Sequence, residues 1–525
     1  PPTTTRQSSS AASDVYKRQL LIILLPAPAG LPPEGLRTGA TALWMAIWWT
    51  TEAVPIPVTA LLPLVLFPFL GVLPMPEAAA PYANEVIFLF MGGFFLAAGM
   101  ESTGLHRRIA LEIIRKVGLS PERLVLGFML ATAFLSMWIS NTATAAMMLP
   151  IGIAVVELFR RDEDREGFPL GVSLMLGMAY AASIGGVATL IGTPPNAIFA
   201  GAVAELLDGD IGFGQWMLLG LPVTLVMLPL TWFLLVKVLH PPGELQADAS
   251  TLLEAEIDSL GPATPGERRV AWVFGLTAVC WILRAPKTLG SLTIPGLQTL
   301  SPGIRDSTIA IAASIILFIL PSGRRGNGEA RTLLTWERAR KIPWGVLLLF
   351  GGGLSLARGM ESSGLSRWIG SSVEGLAGVP DVILFAALAV LFVFLTELTS
   401  NAATTTMAMP VLVGAAAAMG SDPIPFMIVA TMASSMAFML PVATPPNAIV
   451  FGSDYLTIPQ MVKAGLVLIL VAVGVVTLAA RFLLPLVFPR GGGAPGSGRG
   501  GAGVRLRVST AFPGRVRAAG CDTQL

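Results

Sequence analysis

The sequence predicts an all-α polytopic membrane protein of about 11 transmembrane helices plus two re-entrant hairpins, arranged as an inverted repeat. Three observations lead there. The 525 residues are 54% hydrophobic and 13% charged, with a mean hydropathy of +0.72, whereas soluble proteins carry about a quarter charged residues. Several charge-free runs exceed the roughly 20 residues a helix needs to cross a bilayer. Four short motifs also recur, in the same order, in the two halves of the chain.

Taken in order, residues 1–19 are polar and low in complexity and read as a non-native or disordered leader. A first repeat is expected over 20–238. Within it a Trp-rich helix over 38–51 is broken at Glu52-Ala53-Val54-Pro55-Ile56-Pro57, and a span follows over 58–73. The next span starts near Val86, is loosened by Gly92, Gly93 and Gly99, and stops at Glu101-Ser102-Thr103-Gly104. A hairpin is expected over 122–158, then a charged loop from Arg160 to Glu166, a neutral run over 167–204 and a span near 216–236. The polar, acidic stretch 239–269 reads as a cytoplasmic loop between the repeats. The second repeat, 270–488, holds spans near 270–286, 307–321 and 343–358, a hairpin over 380–418, a broken span over 423–453 and a last helix near 460–487. The Gly/Arg-rich tail, 489–525, reads as disordered.

The repeat is explicit in the residues. Phe90-Met91-Gly92-Gly93 matches Phe350-Gly351-Gly352-Gly353, Gly99-Met100-Glu101-Ser102 matches Gly359-Met360-Glu361-Ser362, and Ser140-Asn141 matches Ser400-Asn401, all at an offset of 260. Thr193-Pro194-Pro195-Asn196 matches Thr444-Pro445-Pro446-Asn447 at an offset of 251. Charge sets the orientation. Arg107, Arg108, Arg115, Lys116 and Arg123 follow the first Gly-Met-Glu-Ser, but only Arg367 follows the second. Lys and Arg concentrate on the cytoplasmic side, so the copies are expected to be inverted, with the basic loop Arg324 to Lys341 also cytoplasmic. Inverted repeats are an architecture of secondary transporters.

The polar breaks point to the site. The run Leu124–Val156 is 33 residues, too short for two full spans, so Ser140-Asn141-Thr142 is expected at the tip of a hairpin stopping part-way across. Irregular backbone at membrane depth survives only where protein or water satisfies it. A single Ser-Asn-Thr would read as a helix cap or an interhelical hydrogen bond; two at matched positions favour a midplane site. The tandem prolines at Pro194-Pro195 and Pro445-Pro446 stop their helices in the same way, and Gly185-Gly186 loosens the first copy. No Lys, Arg or His lies near either tip in the sequence. An anion held there would need bound cations as counter-charge, and sodium suits hydroxyl, amide and backbone oxygens without a titrating relay. Glu397, the one acid beside a tip, reads as a structural group bonded to the hairpin, and Arg284 and Arg358 as side chains snorkelling at span ends. Cys280 reads as packing. Two Cys and two His exclude a disulfide framework and argue against a His/Cys metal centre.

These motifs, with Trp48-Trp49-Thr50-Thr51-Glu52-Ala53-Val54-Pro55, resemble the divalent anion/sodium symporter family, which carries dicarboxylates, citrate or sulfate. The resemblance covers roughly residues 20–488. It implies an elevator-type carrier, a homodimer in a bacterial inner membrane, with no enzymatic activity and no nucleic-acid partner. It implies two or more transported Na+ ions, one held by Ser136, Ser140, Asn141 and the backbone at Gly192, another by Thr396, Ser400, Asn401 and the backbone at Ala443. The dianionic substrate would meet Ser140, Asn141, Thr142, Thr193 and Pro194 from the first copy and Ser400, Asn401, Ala402, Thr444 and Pro445 from the second. Ala402 departs from the pattern, since it stands where the family has Thr, and Thr404 to Thr406 point to other helix faces. Sodium-coupled import of a C4-dicarboxylate (succinate, malate or fumarate) is the expected function. A citrate or sulfate carrier or a dicarboxylate exchanger are the alternatives within the fold. An anion channel would show a continuous polar stripe, and a membrane enzyme would show clustered His, Asp or Cys within spans; neither is present in the sequence.

Overall fold

A computed structural model describes residues 28–159, 168–243, 250–289, 292–326 and 329–488. The expected leader and tail, the charged loop Arg160–Glu166 and Cys521 lie outside the described residues. The main helices are α1 (Pro33–Thr51), α2 (Leu62–Leu70), α3 (Glu85–Thr103), α4 (Leu105–Val117), α5 (Pro121–Ser136), α6 (Asn141–Phe159), α7 (Pro169–Gly186), α8 (Pro194–Leu207) and α9 (Phe213–Phe233) in the first half. The second half holds α10 (Pro265–Ile282), α11 (Asp306–Ile319), α12 (Trp344–Ser362), α13 (Leu365–Ser371), α14 (Asp381–Leu398), α15 (Asn401–Ala418), α16 (Pro423–Ser434), α17 (Pro445–Phe451) and α18 (Ile458–Leu478). Two short antiparallel hairpins, Lys287–Leu289 with Leu292–Ile294 and Pro321–Gly326 with Glu329–Thr332, are the strands among the described residues.

Six helices among the described residues are long and apolar enough to cross a membrane: Met75–Thr103, Asn141–Phe159, Pro169–Gly186, Phe213–Leu239, Asp381–Leu398 and Ile458–Val487. Three shorter apolar helices, Ile56–Leu70, Asp306–Ile319 and Pro423–Ser434, accompany them. α7 is apolar all round and buried almost throughout, as a helix at the centre of a bundle must be. Around it the two halves interlock reciprocally. α17 packs on α6 and α7, while its counterpart α8 packs on α15 and α16. Near the middle the paired motifs meet, the rings of Phe90 and Phe350 lying 5.1 Å apart edge to face.

The repeated glycines do not loosen their helices, contrary to expectation. α3 runs unbroken through Gly92, Gly93 and Gly99, and a Cβ on Gly92 would come within 2.6 Å of that of Ala310. In α12 a Cβ on Gly352 would stand 2.1 Å from the Ala60 carbonyl oxygen. The motif's glycines therefore permit backbone-to-backbone packing, as small residues do between membrane helices. Gly352→Ala is expected to leave little folded protein on size-exclusion chromatography in detergent. Gly275→Ala, where a Cβ meets nothing within 4 Å, should be neutral or raise stability by up to about 1 kcal/mol in a thermal melt. Equal yields from the two variants would refute the packing role. The expected span 58–73 is also interrupted. Short helix Ile56–Thr59 stops before α2, where Pro63 supplies no N–H to continue the ladder.

Charged side chains gather on two opposite faces. On one, Arg107 pairs with Glu256, and Arg108 Nε lies 2.9 Å from Glu267. These contacts dock the stretch expected as an inter-repeat loop, which contains helix Ser250–Ser259, against basic α4. At the far ends of α3 and α10, Arg284 Nη1 lies 2.9 Å from Asp210 and Arg284 Nε lies 3.1 Å from Asp306. Arg305 reaches Asp210 at 3.0 Å, and the Phe213 N–H donates to Asp306 at 2.7 Å. Arg284 does not snorkel. It is only 5% exposed, and a buried guanidinium needs such partners because desolvation of an unpaired charge is prohibitive. Arg358 likewise pairs with Glu205, at 3.0 Å.

Candidate functional site

The first tip forms where α5 ends at Ser136 and α6 begins at Asn141. Ser140 Oγ accepts the Ala143 N–H at 3.3 Å, so the motif does cap α6. It does more than cap. Ser136 Oγ lies 2.7 Å from both Asn141 Oδ1 and the Ala182 carbonyl oxygen on α7. The Asn141 end that meets Ser136 also faces Gly192 O at 3.2 Å and Ala182 O at 3.3 Å. With the amide nitrogen on that side, it donates to these oxygens. With the oxygen there, four oxygens converge, a donor set that suits a hard cation.

The second tip repeats this arrangement. α14 ends at Leu398, and Thr396 Oγ1 lies 2.6 Å from Asn401 Oδ1 and 2.9 Å from the Ser434 carbonyl oxygen on α16. Ser136, Asn141 and Ala182 thus correspond to Thr396, Asn401 and Ser434.

Behind each tip a helix breaks before its tandem prolines. In the first copy Asn196, fully buried, donates from Nδ2 to Thr189 O at 2.7 Å and Gly186 O at 3.0 Å. In the second copy Asn447, also fully buried, donates to Leu440 O at 3.0 Å and Ala437 O at 3.4 Å. Each asparagine occupies carbonyls freed by the break, which would otherwise be unsatisfied inside the protein. The two breaks differ in how their N–H groups are held. In the second, Glu397 accepts from Phe438, Met439 and Leu440 N–H at 2.6, 2.8 and 3.0 Å. Glu397 is therefore structural, but it grips the broken segment after α16 rather than its own hairpin. The first copy has Met137 at that position, whose carbonyl instead accepts from Thr189 Oγ1 at 2.5 Å.

Both tips and both breaks open into one cavity of about 1440 Å³. Ser140, Asn141, Thr142, Gly192, Thr193 and Pro194 line it from the first copy, and Ser400, Asn401, Ala402, Ala443, Thr444 and Pro445 from the second. Ser136 and Thr396 sit behind this surface, each against its Asn. Thr404 to Thr406 do not line the cavity among its described walls; Thr404 bonds Thr399, and Thr405 Oγ1 donates to Asn401 O at 2.8 Å. Sequence reasoning missed part of the wall. Trp49, Thr50, Thr51 and Glu52 of the α1 end line it, as do Glu101, Arg338 and Lys341. The expectation that no basic residue stands near the tips holds for the chain around them but not for the space they share. The Trp-Trp-x-Thr-Glu motif was the available signal for the first group. Nothing in the sequence distance between Lys341 and either tip announced the second.

Compared with known proteins, the transmembrane region of the sodium:sulfate symporters matches residues 16–488. The chain belongs to this symporter family. The sodium-dependent dicarboxylate transporter SdcS of Staphylococcus aureus (strain bovine RF122 / ET3-1) is 40% identical to it over 475 residues, 89% of either chain. SdcS from strain MRSA252 matches at the same identity and coverage. Among solved structures, the Alcanivorax borkumensis YdaH transporter, whose crystal structure was described as having an unusual topology, superposes with a TM-score of 0.56 at 16% sequence identity. The match covers 86% of this chain and 99% of that one, a likeness of fold alone. As a family member with several apolar helices, the chain is a multi-pass membrane protein, and the relatives it resembles are transporters rather than enzymes.

Proposed function

We propose that this family member is a sodium-coupled symporter that imports a C4-dicarboxylate across a bacterial inner membrane. The observation carrying the reading is the meeting of both Ser-Asn tips in one cavity, each backed by the same hydroxyl–amide–carbonyl arrangement. One Na+ is assigned to Ser136, Ser140, Asn141 and Gly192 O, the other to Thr396, Ser400, Asn401 and Ala443 O. The substrate is assigned to the surface between them: Ser140, Asn141, Thr142, Thr193 and Pro194 facing Ser400, Asn401, Ala402, Thr444 and Pro445. No charged side chain of either tip is among the residues lining the cavity, so the carboxylates meet hydroxyl and amide donors, and the bound cations offset their charge. Such a pocket holds the dianion well only when the ions are present, which is the physical content of coupling.

The halves are read as inverted repeats with re-entrant hairpins at 122–158 and 380–418. Three observations support this. Glu101 near the end of α3 and Gly345 near the start of α12 line the same cavity, as expected if equivalent helices run oppositely, and the pair Phe90 and Phe350 meets near what would be the pseudo-twofold axis. The reciprocal packing of α8 and α17 is likewise what such an axis requires. Transport is read as an elevator motion in a homodimer, with α5–α8 and α14–α17 sliding against the remaining helices. The test is uptake of labelled succinate, citrate and sulfate into proteoliposomes, with inward gradients of sodium or of choline. Succinate accumulation driven by sodium alone is expected. Accumulation driven only by counter-substrate, or of sulfate alone, would overturn the reading.

A further inference from the structure

The cavity carries four charged side chains among its described walls: Glu52, Glu101, Arg338 and Lys341. None is at a tip. Glu52 follows α1, Glu101 lies in the last turn of α3, and Arg338 and Lys341 precede α12, so all four ring the mouth. This mouth faces the same side as basic α4, because α3 ends there and α4 begins directly after it.

Arg338 and Lys341 are selected by direction and not merely by number. The segment Glu337–Lys341 is rich in charge, yet Glu337 and Arg340 do not line the cavity. Arg338 belongs to the short helix Trp336–Ala339 and Lys341 follows it three residues on, a spacing that places two side chains on one face of a helical turn. Both are exposed and lie within 4 Å of no carboxylate among the described residues, although Arg338 is near enough to Glu101 for their charges to interact. A loop whose bases served only to fix topology would have no need to aim two of them into the transport cavity. Neither side chain donates a hydrogen bond to another described residue, and both are exposed on the wall of the cavity that the tips share.

We propose that Arg338 and Lys341 form a docking station for the carried dianion at the mouth of the cavity, distinct from the site at the tips. The inference rests on the symport reading. The guanidinium and the ammonium match the two carboxylates of a small dicarboxylate through charge-assisted hydrogen bonds. Glu52 and Glu101 share the mouth, so its net charge is balanced. The capture is therefore local rather than long-range, with the acids drawing the co-transported cation as the bases draw the anion. A dianion leaving the uncharged pocket thus meets compensating charge before it meets bulk water. One arriving from that side is held until the cations follow.

The test is sided. Labelled succinate transport is measured in right-side-out and inside-out vesicles carrying wild type, Arg338→Gln, Lys341→Gln, the double Gln variant, and the charge-keeping swap Arg338→Lys with Lys341→Arg. For succinate presented at the mouth, the double Gln variant should raise KM by about fivefold, the scale of an exposed charge contact worth ~1 kcal/mol. Its dependence on added choline chloride should flatten. KM at the opposite face should not move, and the swap should keep the wild-type value. An unchanged KM at the mouth, or an equal rise at both faces, overturns the docking station. Wild-type vesicles that move succinate, citrate and sulfate in no sodium gradient overturn the symport reading itself, and the station with it.

Discussion

Asn141→Ala and Asn401→Ala are each expected to reduce sodium-dependent uptake by about 100-fold or more, since even groups that merely support a metal ligand are worth 10–100-fold in affinity. Each asparagine joins three things at once. It begins a hairpin helix, meets a hydroxyl at 2.7 or 2.6 Å, and faces the cavity. Truncation removes an oxygen from the convergent set and leaves Ser136 or Thr396 with only its carbonyl partner. Because the helices on either side stay packed, the variants should elute and melt like wild type. The measurement is initial uptake against sodium concentration. Because each copy would supply one ion, the two variants should each lose one sodium-dependent step rather than share a common defect. Normal uptake by either variant would remove that asparagine from the site.

Glu397→Ala is the second change with a large expected effect, and here the loss is of structure first. Three backbone N–H groups, at Phe438, Met439 and Leu440, converge on one buried carboxylate. Each buried donor left without an acceptor costs about 1–3 kcal/mol, so the segment between α16 and α17 should lose its shape and carry Ala443 and Thr444 out of place. A fall of several degrees in Tm together with loss of uptake is expected. Glu397→Gln, which keeps one acceptor oxygen but gains an N–H that faces donors, should fall between wild type and Glu397→Ala. Met137→Ala, at the corresponding position of the first copy, should be mild, since only the backbone there takes part. A Glu397→Ala variant with wild-type Tm and uptake would show that the three contacts are dispensable.

Much of the site could be read from the residues because its chemistry is local. Ser136, Ser140 and Asn141 lie close together in the chain, as do Thr396, Ser400 and Asn401, and the tandem prolines mark their own breaks. What the sequence hid depends on partners far along the chain. Glu397 is 41 residues from the first N–H it holds, so its neighbourhood in sequence suggested the wrong partner. Arg284 looked like a span-end side chain because Asp210 lies 74 residues earlier. The glycines of the paired motifs suggested flexibility because their contacts, Ala310 on α11 and Ala60 between Ile56–Thr59 and α2, lie far along the chain. An apolar run marks a helix but does not say which face meets which neighbour.

The ionic cluster around Arg284 has a kinetic corollary. Glu205 lies near the end of α8 and Asp210 in the loop after it, whereas Arg284 follows α10, Arg305 precedes α11 and Arg358 lies within α12. Any sliding of the first group past the second must separate opposite charges that are partly dry. On the elevator reading, the conformation described here would be latched at the end remote from the cavity mouth. On that reading the empty carrier would rest in it, and the latch's strength, rather than the fit of the cargo, would govern how often the carrier resets.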